Sequence, residues 1–181
     1  MSRPRTVFVD RDGVVNRKQP EGQYVNALSD FDLLPGSLEA LAGFTRSGIK
    51  VVVVTNQQGV AKGVTDESVL AQIHSQLRAE VEAAGGRISQ IQVCNHLAGS
   101  CDCRKPDVGL FEQARFQDPE IDFGESAVIG DSESDIEAAH RIGARAVLVT
   151  GQPGGSVRPD GTTEVADLTE ALNLLTEPDH V

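Results

Sequence analysis

Two aspartates with one residue between them, Asp10 and Asp12, stand at the end of the apolar run Thr6 to Val9 and are followed by Gly13. In an extended segment a residue and its second neighbour point the same way, so both carboxylates can serve one site. Such a pair can divide labour, one attacking as a nucleophile while the other moves protons, or can hold a hard cation jointly. Asp-Arg-Asp-Gly also reads as a plain turn, since aspartate and glycine are common turn formers. Two other strand ends favour the site: Thr55-Asn56 follows the valine run Val51 to Val54, and Gly130-Asp131 follows Ala127 to Ile129. Asp131 adds another oxygen ligand, and a sparse carboxylate set that leaves room for waters and a phosphate oxygen suits Mg2+. Asp135 reads equally as support for that metal, as an acid favoured by a helix N-terminus, or as an orienting partner of a nearby loop.

A second cluster holds all three cysteines of the chain: Cys94 and His96, then Cys101 and Cys103. Three thiolates and one imidazole make a closed tetrahedral set, the composition of structural zinc sites with no open position for water. Isolated cysteines are more often small buried residues. Their clustering beside His96, in a chain with no other cysteine, favours Zn2+. The metal would brace a long loop and, because Arg104 and Lys105 follow Cys103 directly, fix two cations at the rim of the site. The other histidines, His74, His140 and His180, read as helix-surface, packed-helix and tail residues without a role.

These residues need a scaffold, and the composition supplies one. Of 181 residues, 39% are hydrophobic and 24% charged, enough for a core and unlike a disordered chain. One domain over residues 1–181 is expected. With 16 Lys+Arg against 27 Asp+Glu the net charge is −11, which repels phosphate backbones and argues against nucleic acid as a partner. The polar start Met1 to Arg5 leaves no room for a signal-peptide core, and the valine run is too short to span a bilayer. A cytoplasmic location with no membrane partner is expected. An odd number of clustered cysteines favours local chemistry over a disulfide framework. No heptad or interface stripe stands out, so a monomer is expected.

Apolar runs alternate with amphipathic segments. Strands are expected at Thr6 to Val9, Lys50 to Val54, Ile91 to Val93, Ala127 to Ile129 and Ala146 to Val149. Helices are expected at Ser37 to Arg46, Asp66 to Ala84, Val108 to Phe116, Asp135 to Ile142 and Leu168 to Leu175. The second of these carries Val69, Ile73, Leu77 and Val81 on one face. This alternation predicts a doubly wound α/β domain: a parallel sheet, right-handed crossovers and helices on both faces. Ligands of such sheets lie beyond the carboxyl ends of the strands, where Asp10, Thr55 and Asp131 fall. The long loops Gly13 to Pro35 and Asn95 to Asp107 suggest function, and Gly151 to Thr163 reads as a surface connection.

The sequence Val9-Asp10-Arg11-Asp12-Gly13-Val14-Val15-Asn16, then Thr55-Asn56-Gln57, Arg104-Lys105-Pro106 and Gly130-Asp131 with Asp135, closely resembles the four motifs of haloacid dehalogenase superfamily phosphatases. The resemblance implies that Asp10 becomes an aspartyl phosphate, while Asp12 protonates the leaving oxygen and later activates water. It implies that Mg2+ is held by Asp10, the Asp12 carbonyl and Asp131, and that Thr55 and Lys105 hold the transferring phosphoryl group. Together with the Cys/His set, the motifs look like the D-glycero-D-manno-heptose 1,7-bisphosphate 7-phosphatase family, whose nearest relative is the histidinol-phosphate phosphatase domain. Large cap domains are absent from both. By this resemblance the loop Glu21, Gly22, Gln23 and Tyr24 and the segment Asn56, Gln57 and Gln58 would touch the sugar, and Arg104 a distal phosphate. Ser132 departs from the lysine that many relatives carry there.

The expected function is thus Mg2+-dependent hydrolysis of a small phosphorylated sugar, most specifically the 7-phosphate of the heptose bisphosphate. Histidinol-phosphate hydrolysis is the neighbouring alternative. A receiver-like signalling module is an alternative of another class, since it too places Asp, Thr and Lys at a sheet edge. Asp12 argues against it, because an acid/base there should empty the aspartyl phosphate quickly.

Overall fold

A computed structural model of the protein describes residues 3–152, 154 and 156–177. In chain order it contains β1 (Thr6–Val9), α1 (Ser37–Arg46), β2 (Lys50–Asn56), α2 (Glu67–Ala83), β3 (Gln90–Cys94), α3 (Gly109–Gln117), β4 (Ser126–Gly130), α4 (Glu133–Ile142), β5 (Arg145–Val149), β6 (Thr163–Val165) and α5 (Leu168–Thr176). Short 3-10 turns occur at Leu28–Asp30 and Phe123–Glu125.

The central strands are rich in β-branched residues and buried on both faces, as helix-covered parallel strands must be. Every residue of β1 and β4 is buried, as is Val51 through Thr55 of β2. Helix ends follow local chemistry: Asp66 caps α2 by accepting from the Ser68 N–H, and Asp167 caps α5 by accepting from the Glu170 N–H. Gly143, with φ 74°, closes α4. The buried face of α2 is Leu70, Ile73, Leu77 and Val81, with Val69 only partly buried.

All pairings are parallel, in the order β3-β2-β1-β4-β5-β6. Helices α1, α2 and α5 pack over one face around Leu41, Phe44, Ile73 and Leu168. Helices α3 and α4 cover the other around Phe8, Leu110, Phe111 and Ile136. Strand order reverses direction between β1 and β4, and a sheet of this kind opens a crevice there at the strands' carboxyl ends.

The expected elements are all present, with ends shifted by one or two residues. One strand was not anticipated. Thr163, read as the end of a surface connection, begins β6 and pairs with Val147. A three-residue edge strand beside a Gly/Pro-rich stretch is too short to show a period in sequence. Only residues 10–36 separate β1 from α1, and only 57–66 separate β2 from α2, so the described residues contain no cap domain. No described helix is long and apolar enough to cross a membrane.

Candidate active site

The crevice between β1 and β4 is built by backbone before any side chain enters it. The Asp10 N–H donates to the Ile129 carbonyl at 2.9 Å, fixing the end of β1 against β4. The chain then turns sharply, with the Arg11 carbonyl accepting from the N–H groups of Val15 and Asn16. Gly13 sits at φ 95°, and a Cβ there would lie 2.2 Å from Asp131 Oδ2. Only glycine permits both that backbone and that approach. Gly130 allows an equally close approach by Asp135, whose Cγ would lie 2.3 Å from an added Cβ.

Asp10, Asp131 and Asp135 thereby offer oxygens within 4.8 Å of one another. Burial pushes the Asp10 carboxyl up to about 7 against the pull of Lys105, and Asp135 adds to the rise. Asp131 Oδ1 is buried without a hydrogen-bond partner. Crowded hard oxygens, one of them unsatisfied, fit a divalent cation such as Mg2+. Asp135 is already engaged: its Oδ2 accepts from the Ser132 N–H at 3.2 Å and the Ser132 hydroxyl at 2.6 Å, and its Oδ1 pairs with Lys105 at 2.6 Å. The helix-terminus and orienting readings of Asp135 therefore both describe it, and Ser132 starts α4.

Lys105 enters from the opposite side of the sheet edge. Its buried ammonium reaches Asp10 Oδ1 at 2.8 Å, Asp135 Oδ1 at 2.6 Å and the Val54 carbonyl at 2.9 Å. Burial opposes its charge, but Asp10 and Asp135 more than offset this and hold the lysine well above its usual range. Asn56 pins the backbone of Lys105, accepting from its N–H and donating to its carbonyl, each at 3.1 Å. An amide at the end of β2 thus sets the position of the lysine.

Asp12 is gripped on several sides. The guanidinium of Arg11, fully buried, forks onto Asp12 with contacts of 2.9 and 3.0 Å. Asn16 donates to Asp12 at 2.9 Å and Gln57 at 2.6 Å. Burial would raise the Asp12 carboxyl, yet the Arg11 charge and these hydrogen bonds leave it below the usual carboxylate range. The Gln57 amide also donates to Thr55 Oγ1 at 2.8 Å. On the far side, Arg11 donates to His74 Nε2 of α2 at 3.1 Å.

Above these groups opens a cavity of about 340 Å3. Its floor includes Asp10, Asp12, Lys105 and Asp131, and its walls are Lys18 to Val25, Asn56 to Gln58 and Arg104. Arg104 carries a buried guanidinium nitrogen without a partner. The Tyr24 hydroxyl accepts from Lys62 at 2.9 Å, tying one loop to the other.

Beside the cavity, Cys94 at the end of β3 meets His96, Cys101 and Cys103. The sulfur pairs lie 3.0, 3.3 and 3.5 Å apart, and His96 Nδ1 lies 3.1 Å from Cys103 and 3.8 Å from Cys94. A tetrahedron of zinc bonds has edges of roughly 3.5–3.8 Å, so the donor set fits Zn2+ in type and nearly in size. Gly109 lets this loop lie on the start of α3, since a Cβ there would meet the Asp102 carbonyl at 2.7 Å.

A HAD-hydrolase-like family model matches residues 102–179. The D-glycero-beta-D-manno-heptose-1,7-bisphosphate 7-phosphatase of Pseudomonas aeruginosa is 35% identical over 174 residues, covering 93% of this chain and 96% of that protein. The chain belongs to the heptose-1,7-bisphosphate 7-phosphatase family. It is a HAD-like phosphatase. The D-glycero-alpha-D-manno-heptose-1,7-bisphosphate 7-phosphatase of Mycobacterium tuberculosis is 39% identical over 157 residues, covering 83% of this chain and 82% of that one. A crystal structure of D,D-heptose 1,7-bisphosphate phosphatase from B. bronchiseptica, complexed with magnesium and phosphate, superposes with a TM-score of 0.84 at 32% identity. It covers 94% of this chain and 97% of that one.

For a member of this family, the residues singled out in sequence gather well. Asp10, Asp12, Lys105, Asp131, Glu21 to Tyr24, Asn56, Gln57, Gln58 and Arg104 all line one cavity. Thr55 is buried beneath Gln57 and does not line it. Four residues of the site, Arg11, Asn16, Lys18 and His74, have no role in the sequence reading. A charge buried between two aspartates carries no sequence signal, and Lys18 lies in a loop without periodicity. His74, read as a surface residue, is half-buried because it neighbours the apolar face of α2 and turns toward Arg11. His140, read as packed, is exposed and bonded to Thr162 at 3.2 Å. His180 lies outside the described residues.

Proposed function

We propose that the protein is a Mg2+-dependent phosphatase that removes the 7-phosphate of D-glycero-D-manno-heptose 1,7-bisphosphate through an aspartyl phosphate on Asp10. The carrying observation is the convergence of Asp10, Asp12, Lys105 and Asp131 on the floor of one cavity at the β1/β4 crevice. Relatives at 35% and 39% identity, named for this substrate, support the choice of sugar. We read the protein as a cytoplasmic monomer.

Asp10, the Asp12 carbonyl and Asp131 would hold Mg2+, which would supply charge that offsets repulsion between carboxylate and phosphate. Lys105 holds Asp10 Oδ1 and so orients the other oxygen for attack. As the Asp10–phosphorus bond forms, the bond to the sugar oxygen breaks, and Asp12 gives that oxygen a proton. A phosphate dianion beside Asp12 opposes the influence of Arg11 and helps the carboxyl carry this proton. In the second half Asp12 takes a proton from water, whose oxygen attacks phosphorus and releases phosphate from Asp10. Arg104, with its unpartnered nitrogen, takes the distal phosphate. Cys94, His96, Cys101 and Cys103 would hold Zn2+, which would brace the loop that carries Arg104 and Lys105.

The test is phosphate release from both anomers of the heptose bisphosphate and from histidinol phosphate, with Mg2+ and with EDTA. Fast, Mg2+-dependent loss of one phosphate from the heptose is expected, with Asp10→Asn slowed about 10^4-fold or more. Release from histidinol phosphate alone would overturn the substrate, and near-normal turnover by Asp10→Asn would overturn the nucleophile.

A further inference from the structure

Two of the loops that wall the cavity are held in different ways. Residues 57–66 brace themselves: the Gly59 carbonyl accepts from the N–H groups of Val64 and Thr65 at 3.0 and 3.1 Å, and the Lys62 N–H donates to the Gln58 carbonyl at 3.0 Å. Residues 18–26 have one backbone bond of their own, from the Gln23 N–H to the Pro20 carbonyl at 2.9 Å. A segment so sparsely bonded keeps its place chiefly through contacts made outside itself.

Several of those contacts run to the braced loop. Asn26 Oδ1 accepts from the Thr65 hydroxyl at 2.7 Å. The Tyr24 ring lies against Gly59, where an added Cβ would meet two ring carbons at 2.9 and 3.0 Å and Thr65 Oγ1 at 2.5 Å. Gly59 is not among the glycines with positive φ, so close approach rather than backbone conformation calls for glycine there. Lys62, itself exposed, completes the hold: its ammonium donates to the Tyr24 hydroxyl at 2.9 Å and lies 5.5 Å from the ring centroid. Among the described residues Tyr24 is the only aromatic that lines the cavity, whereas Lys62 does not line it. A tyrosine offers an apolar ring and a polar tip, and here Lys62 takes the tip.

We propose that Lys62 is a positioning residue for the sugar part of the substrate: by holding the Tyr24 hydroxyl it fixes the aromatic wall of the cavity, and with it the loop 18–26, where a phosphorylated sugar is gripped beyond its reacting phosphate. A small phosphate donor that occupies only the floor of the cavity has no use for that wall, so Lys62 discriminates between the two kinds of substrate without touching either. The inference rests on reading the cavity as that of a sugar phosphatase.

The experiment measures kcat and KM of the full chain, with Mg2+, on heptose 1,7-bisphosphate and on acetyl phosphate, which is too short to reach the loop. Lys62→Met keeps the stem but loses the donor, and should raise KM for the heptose about 5-fold with kcat within about two-fold, while both constants for acetyl phosphate stay at the wild-type values. Lys62→Arg should bring KM back. Tyr24→Phe, which keeps the ring and removes the acceptor, should raise KM for the heptose by a similar factor, and the double variant should cost no more than either single one. An unchanged KM in Lys62→Met, an equal rise on both substrates, or additive effects of the two substitutions would each overturn the positioning role. A wild type that hydrolyses acetyl phosphate but leaves the heptose untouched would instead overturn the proposed substrate, and this inference with it.

Discussion

At the scale of single residues the site depends on how Asp12 is held, and the hold extends to His74. Arg11 is wholly buried and bound to Asp12 on one side and His74 Nε2 on the other, so His74 must stay neutral to accept. Burial and the Arg11 charge depress the His74 pKa from 6.5 to about 4. A histidine depressed in the fold contributes stability that is present above its unfolded pKa and lost as pH falls toward the folded one. By linkage this amounts to about 2 kcal/mol lost between pH 7 and pH 5. Urea melts at the two pH values should show that loss, and His74→Gln, which keeps an acceptor but does not titrate, should remove it while keeping kcat within a few-fold. An equal pH dependence in the variant would rule out His74 as the source. Residue types with chemical meaning, Asp10, Asp12, Asp131 and the cysteines, were legible in sequence because their spacing is unusual. Arg11 and His74 were not, because what matters about them is burial against each other across 63 positions of chain.

At the scale of elements, strands and helices were legible because their apolar periods differ, whereas the loops that make the site have no period. The loop of Cys94, His96, Cys101 and Cys103 is the exception, marked by ligand chemistry alone. It joins β3 to α3, and the Asn56 clamp on Lys105 ties its far end to β2. Loss of the metal should therefore loosen Lys105 and Arg104 together. Cys101→Ser removes one thiolate with little change in volume. We expect it to lower zinc content by elemental analysis and destabilise by about 2 kcal/mol, a drop of about 4–8 °C in Tm. KM should rise more than kcat falls if Arg104 binds the distal phosphate, as proposed, away from the reacting bond. Full zinc retention would contradict the ligand assignment.

At the scale of the whole molecule, one sheet with helices on both faces brings the Asp10, Asp131 and Asp135 group and the Cys/His group, each able to hold a metal ion, to the same edge. Its hydrophobic layers share the central strands, with Val7 and Val9 facing one side and Phe8 the other. Neither layer is complete without β1, so we infer that residues 1–181 unfold as one cooperative unit rather than in parts. The doubly wound class was legible from alternation, but the convergence of Asp10 with Lys105, 95 positions apart, required the strand order. On the proposed reading Mg2+ would act on the whole fold, because Asp10 and Asp131 stand at the ends of β1 and β4, the two strands either side of the crevice. Binding only the folded state at 100 times its Kd adds about 2.7 kcal/mol. Calorimetric melts should show a single transition whose Tm rises with Mg2+ and returns with EDTA, and Asp131→Asn should blunt the rise. Two separated transitions would divide the domain, and a Tm indifferent to Mg2+ would remove the cation from the β1/β4 crevice.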